Sequence, residues 1–311
     1  MISINPLQVF LWAFRRRERD VVNLYNSLSP LMQLATDNNM LNFGYWKNNP
    51  ADPLGAQNEL CKLIGEISDL DSANIVIDVG SGFSAPATYW KSQYGNINIT
   101  CINTNFQQLV LSTKLVGNNI SDMKENLYAL LQTDDIRFVN ATSTSLPISA
   151  SSVDRVIALE SAQHFRPLSQ FIRESKKVLK NNGILIIAIP VTKIPSKLAS
   201  FMKLGILSLT WASEHYSLDH VKTTIINERF HIDEIQSICP YVYEPLTDYY
   251  IKNRKYLREK ILKKYPSYLE NILYKSLLKM KQVSQKGIID YVLIKCRPNN
   301  ISQEQILQND V

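Results

Sequence analysis

The stretch NIVIDVGSGFSAPATYW, residues 74–90, constrains this chain more than any other. A run of apolar, largely β-branched residues leads to Asp78, and Gly80 and Gly82 follow with one residue between them before a helix-like segment begins. Glycines at such a turn let backbone approach a ligand closely, and the carboxyl end of a parallel strand is where sheets of this kind bind ligands. A Gly-x-Gly pair alone is shared by many nucleotide folds and by ordinary tight turns. Asn103 stands where a dinucleotide-binding site would place its ribose-binding carboxylate, which counts against a nicotinamide site.

The pattern on either side extends this unit. Short apolar runs at Ile75–Val79, Ile97–Ile102, Arg137–Asn140, Val153–Leu159 and Gly183–Pro190 alternate with helical stretches at Phe106–Val116 and Leu168–Leu179. Strands separated by helical crossovers predict an α/β fold with a Rossmann-like, doubly wound, mostly parallel sheet. Two further strand segments, His231–Ser237 and Ile288–Cys296, flank a basic helical region. They predict a terminal antiparallel pair with a helical cap between them, for about seven strands in all. Upstream, amphipathic segments at Leu7–Leu24 and Gly55–Ile67 predict N-terminal helices. The expected division is a helical segment over residues 1–70, a ligand-binding core over 71–190, a cap and terminal strands over 191–298, and a polar flexible tail over 299–311.

Composition removes several function classes. The four cysteines, Cys61, Cys101, Cys239 and Cys296, form no Cys-x-x-Cys pair, and the four histidines form no ligand cluster, so no metal is expected. Reduced thiols fit a cytoplasmic protein. The apolar stretch Leu7–Phe14 is too short to span a membrane, and its basic run follows it, the wrong order for a secretory signal. With Arg15–Arg17 it has the makings of a peripheral membrane contact; packing over the active site or on a second subunit is the reading preferred. The net charge of +6 draws much of its excess from that run and from Lys252–Lys286. There Tyr256, Leu257, Ile261, Tyr265, Leu269, Ile272 and Leu273 recur at helical spacing, so the lysines read as the wet face of amphipathic helices. No nucleic-acid-binding signature accompanies them, and a nucleic-acid partner is not expected.

Three downstream segments sharpen the reading of residues 74–90. Residues 99–109, ITCINTNFQQL, fall at the second-strand position. Residues 138–165 pair a strand and a Leu-Pro turn with a buried strand ending at Glu160, and residues 178–190 give a helix end, a Gly turn and a strand. With these four elements in order, the chain resembles the class I S-adenosylmethionine-dependent methyltransferases. Within them it is similar to the tocopherol, sterol and natural-product small-molecule methyltransferases, best over residues 36–190. The resemblance implies S-adenosyl-L-methionine as cofactor, with Asp78 orienting the loop and the backbone at Gly80 and Gly82 passing the methionine moiety. It puts Asn103 where an acid usually holds the ribose, Gln108 at a glutamine position of the fatty-acid-modifying relatives, and Thr142 where an acid usually reads adenine, beside Ser143. Tyr45, in the Asn42–Trp46 segment, falls where the family lines the methionine and acceptor; its alternative reading is a hydrophobic anchor.

Methyl transfer requires alignment of donor and acceptor and exclusion of water, and a hydroxyl or acidic-carbon acceptor also requires a base. His164, in the loop after the fourth strand, is the candidate base, because imidazole titrates near working pH. Glu160 is a second catalytic candidate, for binding the acceptor or a cationic intermediate, or else a cap for the following turn. Trp211, Glu214, His215 and Tyr216 suit an acceptor lid, with Ser217 as the cap of a helix from Leu218; Tyr249 and Tyr250 suit a cap wall. Phe201, Met202, Leu204, Ile206, Leu207 and Leu209 add apolar surface, which predicts a small apolar acceptor, lipid- or isoprenoid-like, methylated at O or C and oriented by Tyr45 and His164. The alternatives are a small polar amine as acceptor, or a non-catalytic cofactor-binding protein. The absence of an Asn/Asp-Pro-Pro-aromatic loop at Glu160–Ala162 argues against base-amino methylation of nucleic acid.

Overall fold

The computed structural model describes residues 17–116, 136–194, 203–207 and 214–299. Leu7–Phe14, the first two arginines of the basic run, Phe201, Met202, Leu209 and Trp211 lie outside the described residues. Seven strands form one sheet: β1 (Ile75–Val79), β2 (Asn98–Asn103), β3 (Ile136–Asn140), β4 (Val153–Leu159), β5 (Leu179–Thr192), β6 (Phe230–Ser237) and β7 (Ile289–Pro298). Their order is β3-β2-β1-β4-β5-β7-β6. Strands β1 to β5 pair in parallel, and β7 runs antiparallel to both β5 and β6. This is the mostly parallel, Rossmann-like sheet with a terminal antiparallel pair that the strand pattern predicts.

Eight helices are described: α1 (Glu18–Thr36), α2 (Pro53–Ile67), α3 (Ala85–Gln93), α4 (Phe106–Val116), α5 (Leu168–Val178), α6 (Leu218–Asn227), α7 (Tyr243–Leu262) and α8 (Ser267–Gln285). Local chemistry sets several starts. Asp52 caps α2 by accepting from the Gly55 N–H at 2.8 Å, with Pro53 at the first helical position, where a missing N–H costs nothing. Ser217 caps α6 by accepting from the His220 N–H, as its position before Leu218 predicts. In α5 the buried residues Leu168, Phe171, Ile172, Ser175 and Val178 follow helical spacing and form one stripe.

The two faces of the sheet carry separate cores, because successive strand residues point to opposite sides. Val76, Ile157, Ile186 and Leu293 pack with Leu60 and Ile64 of α2, Trp90 of α3 and Met280 of α8. Ile77, Val156, Leu185 and Ile294 pack with Phe171 of α5 and Val221 and Ile225 of α6. β5 is longer than its apolar run. It begins at Leu179, which pairs with Val153, and continues through Pro190 to Thr192 along β7. Pro190 lies past the last β4 pair, Leu159 with Ala188, so its lack of an N–H removes no bond on that side. α7 and α8 form a helical pair inserted between β6 and β7.

Candidate active site

The parallel strand order changes direction between β1 and β4, and a crevice opens at their carboxyl ends, where ligands of such sheets bind. The two glycines after β1 serve different purposes. Gly80, at φ +79°, comes so close to the loop after β4 that an added Cβ would fall 2.4 Å from the Ser161 Cβ. Gly82, at φ +56°, has only the Leu41 Cδ1 within reach, at 3.5 Å, so a side chain there would project into open space. That space is a cavity of about 570 Å³. It is walled by the glycine turn, the end of β2 with Asn103, Gln108 in the first turn of α4, the 141–144 turn with Thr142 and Ser143, the loop after β4, and one face of α1.

Asp78 does not line this cavity. It is buried on the face of the sheet shared with Val76, its Oδ2 has no hydrogen-bond partner among the described residues, and burial pushes its carboxyl up to about 7. The expected orienting contact to the loop is therefore not made through that oxygen. Asn103 is occupied by an amide network. Its Nδ2 donates to the Gly82 carbonyl (3.1 Å) and to Gln108 Oε1 (2.9 Å), and its Oδ1 accepts from the Asn105 N–H. Gln108 Nε2 in turn donates to Ser29 Oγ, and Asn105 Nδ2 to Asn26 Oδ1, which fastens α1 over the crevice.

Glu160 follows β4 directly, in the left-handed region at φ +50°, a conformation that costs a non-glycine residue energy. It does not cap the next turn. Its Oε1 accepts from the Phe43 N–H and from the Tyr291 hydroxyl, both at 2.9 Å, tying the 41–46 segment to β4 and β7. Burial nevertheless pushes the carboxyl up to about 8. His164, in the 3-10 turn Ala162–His164, places Nε2 2.9 Å from the Tyr25 hydroxyl of α1, with the two rings edge to face. Burial, and then the negative charge of Glu160, push the Tyr25 phenol upward, so it stays protonated. Tyr25 escaped the sequence reading.

A second cavity, of about 230 Å³, lies on the far side of these residues. Its walls are predominantly apolar: Leu24, Leu28 and Leu31 of α1, Leu246, Tyr249 and Tyr250 of α7, Leu273, Leu277 and Met280 of α8, and Leu207. Tyr25, Leu41, Asn42, Glu160 and His164 border both cavities. Tyr249 and Tyr250 both line this second cavity. Tyr45 borders neither cavity. It is buried against Tyr241, its N–H bonded to the Ala56 carbonyl, and the structure assigns it to the hydrophobic anchor. Glu214 approaches Arg166 at 3.9 Å, and the Tyr216 hydroxyl donates to the Phe165 carbonyl; neither borders either cavity.

Comparison with known proteins agrees with this geometry. Residues 77–187 match a family described as a methyltransferase domain. The chain is 26% identical over 280 residues, 85% of each protein, to erythromycin 3''-O-methyltransferase of Saccharopolyspora erythraea. It is 29% identical over 207 residues, 65% of this chain and 68% of the relative, to methyltransferase GfsG of Streptomyces halstedii. In fold it is similar to the cyclopropane synthase MmaA2 of Mycobacterium tuberculosis, with a TM-score of 0.73 at 17% identity over 90% of this chain and 98% of that one. A methyltransferase domain on this sheet, matched along most of its length by a curated enzyme, sets aside the non-catalytic and nicotinamide readings. The chain is an enzyme, a methyltransferase that uses S-adenosyl-L-methionine.

Proposed function

We propose that this enzyme methylates a hydroxyl oxygen of a small apolar acceptor, with His164 as general base. One observation carries the proposal: a cavity of mixed polar and apolar lining at the glycine turn and a far more apolar cavity under the cap meet at a wall that contains His164, Tyr25 and Glu160. The cavity at the glycine turn suits the cofactor. Gly82 leaves open the volume that a side chain would fill, while Asn103, Gln108, Thr142 and Ser143 present polar groups along its length. When bound there, the cofactor supplies an electrophilic methyl group on sulfur.

The remaining chemistry belongs to the chain. The apolar cavity holds the body of the acceptor and keeps bulk water away, as lipid and isoprenoid pockets do. His164 Nε2 takes the proton that the acceptor hydroxyl gives up on methylation, directly or through the Tyr25 hydroxyl, which passes its own proton on and is refilled by that of the acceptor; the methyl–sulfur bond of the cofactor would break in the same displacement, its electron pair staying on sulfur. Glu160, neutral over much of the range below about 8, adds little fixed charge to the junction and holds Phe43 and Tyr291 in place. Oxygen is preferred to carbon because a base stands at the junction and because the relative that spans most of this chain bears the name of an O-methyltransferase. The four cysteines are all buried and unpaired, consistent with a cytoplasmic site of action.

Transfer of a labelled methyl group tests this. Label should appear in apolar hydroxylated compounds when isoprenoid alcohols, quinols, sterols, macrolides, polar amines and RNA are offered. His164→Ala should lower turnover by about a hundredfold or more with cofactor binding intact. Tyr25→Phe should match that loss if the phenol relays the proton, and cost much less if transfer is direct. Label confined to polar amines or RNA would reject the reading.

A further inference from the structure

The positive charge of the chain is concentrated in one place. Residues 243–286, which form α7 and α8, hold eleven Lys and Arg against four acids, an excess of seven. The whole chain carries +6, so everything outside this helical pair sums to −1. The same helices turn Leu246, Tyr249, Leu273 and Leu277 inward to the apolar cavity.

The use of these cations divides by residue type. Arg254 and Arg258 both reach the buried Glu270, at 2.9 and 3.4 Å, and Arg254 also lies over the Tyr274 ring. Lys260 and Lys281 pair with Asp37 and Asp248. Lys252, Lys255, Lys263, Lys264, Lys275 and Lys286 are exposed and join no ion pair among the described residues. Between them the surface shows Ile251, Tyr256 and Leu278, which are 42, 58 and 38% exposed.

We propose that the outer face of α7 and α8 docks on an anionic lipid surface. Juxtamembrane and amphipathic basic clusters are attracted to anionic headgroups, each lysine strengthening partition by about fivefold. Interfaces with proteins are depleted in lysine and enriched in arginine, and nucleic-acid recognition also favours arginine's fork. Here both arginines pair with the buried Glu270, and six of the nine lysines are left exposed, outside any ion pair among the described residues. Exposed apolar and aromatic side chains among lysines are the pattern of a helix lying in a membrane interface. Docking in this orientation brings the helical wall of the acceptor cavity to the phase where apolar compounds partition. That benefit rests on the proposed acceptor class, whereas the docking itself does not.

The test is sedimentation of the full-length protein with vesicles of phosphatidylcholine alone or of an equal mixture with phosphatidylserine. The mixed vesicles should carry the protein down at low salt and release it as salt rises, and phosphatidylcholine alone should not bind it. Lys252→Gln, Lys255→Gln and Lys263→Gln combined should weaken partition by about a hundredfold. Lys47→Gln with Lys62→Gln, a control of exposed lysines elsewhere, should leave it as it was. Circular dichroism of the triple variant should match the parent, and so should its methyl transfer to acceptor dispersed in detergent, which reads the acceptor proposal separately. Equal partition of the triple variant and the parent, equal binding to both vesicle types, or capture by an acidic protein or duplex DNA without vesicle binding would each overturn the proposal.

Discussion

Glu160→Gln should stabilise the protein at alkaline pH and leave it nearly unchanged in mild acid. In the folded chain burial pushes this carboxyl from an ordinary 4.5 up to about 8, and the hydrogen bonds from Phe43 and Tyr291 offset only part of that. Between those values the folded state keeps a proton that the unfolded state has released. Stability then falls as pH rises, because the native state binds more protons. A single group contributes a slope of about 1.4 kcal/mol per pH unit, and on the order of 5 kcal/mol across the full interval. Relaxation around the ionised carboxylate takes up part of this, leaving a gain of about 2–3 kcal/mol for the variant above the Glu160 value. Glutamine keeps a carbonyl oxygen to accept both hydrogen bonds, so the substitution removes the titration with little disturbance to the contacts. Asp78, pushed up to about 7, tilts stability in the same direction but is present in both proteins and cancels in the difference. The assay is urea unfolding followed by far-ultraviolet circular dichroism, at a series of pH values from mild acid to above the Glu160 value. Parallel stability curves for the two proteins would refute the reasoning, as would a variant less stable than the parent at the alkaline end.

Two further substitutions examine the cavities. Gly80→Ala should cost stability, about 1–3 kcal/mol by chemical denaturation, because the new Cβ collides with Ser161 at a positive φ. Gly82→Asp should fold but lose cofactor binding in titration calorimetry, since its side chain enters the cavity. Leu277→Trp should raise KM for the acceptor while cofactor affinity, measured by the same calorimetry, stays put; equal losses for both ligands would mean that the cavities are not separate sites.

Much of the fold is legible in the sequence because a strand buried on both faces has to be an apolar run. β1 and β4 match their runs residue for residue, and Ser217 marks its helix through a cap whose chemistry is local. Asn103, Gln108, Thr142 and Ser143 reach the crevice because the ends of parallel strands in this order must lie side by side. Tyr25 could not be found in that way. It meets His164 across 139 residues of sequence, from a helix where a lone aromatic reads as packing. Tyr45 shows the converse failure. Gly44 lies so close to α2 that an added Cβ would be 2.7 Å from the Ala56 Cβ, and the chain is drawn onto that helix with Tyr45 turned into the core. Nothing in the aromatic pattern itself distinguishes the two sides. Glu160 was legible as a chemically active position but not in its partners, which come from the segment after α1 and from β7.

The placement of α7 and α8 between β6 and β7 has a consequence for how such enzymes diversify. Ser237 and Ile289, at the two ends of the inserted helices, lie on neighbouring strands, and the Ser237 hydroxyl donates to Asp290 at 2.6 Å. Topologically the helical pair is an overgrown hairpin loop, and loops closed at the base tolerate exchange of length and sequence. Its inward residues supply much of the apolar cavity, whereas the cavity at the glycine turn draws on α1, on residues 39–42, on residues 79–108 and on residues 141–166. Exchange of this one hairpin would therefore reshape the apolar cavity and leave the walls of the glycine-turn cavity in place, the two meeting at the five residues of the shared wall.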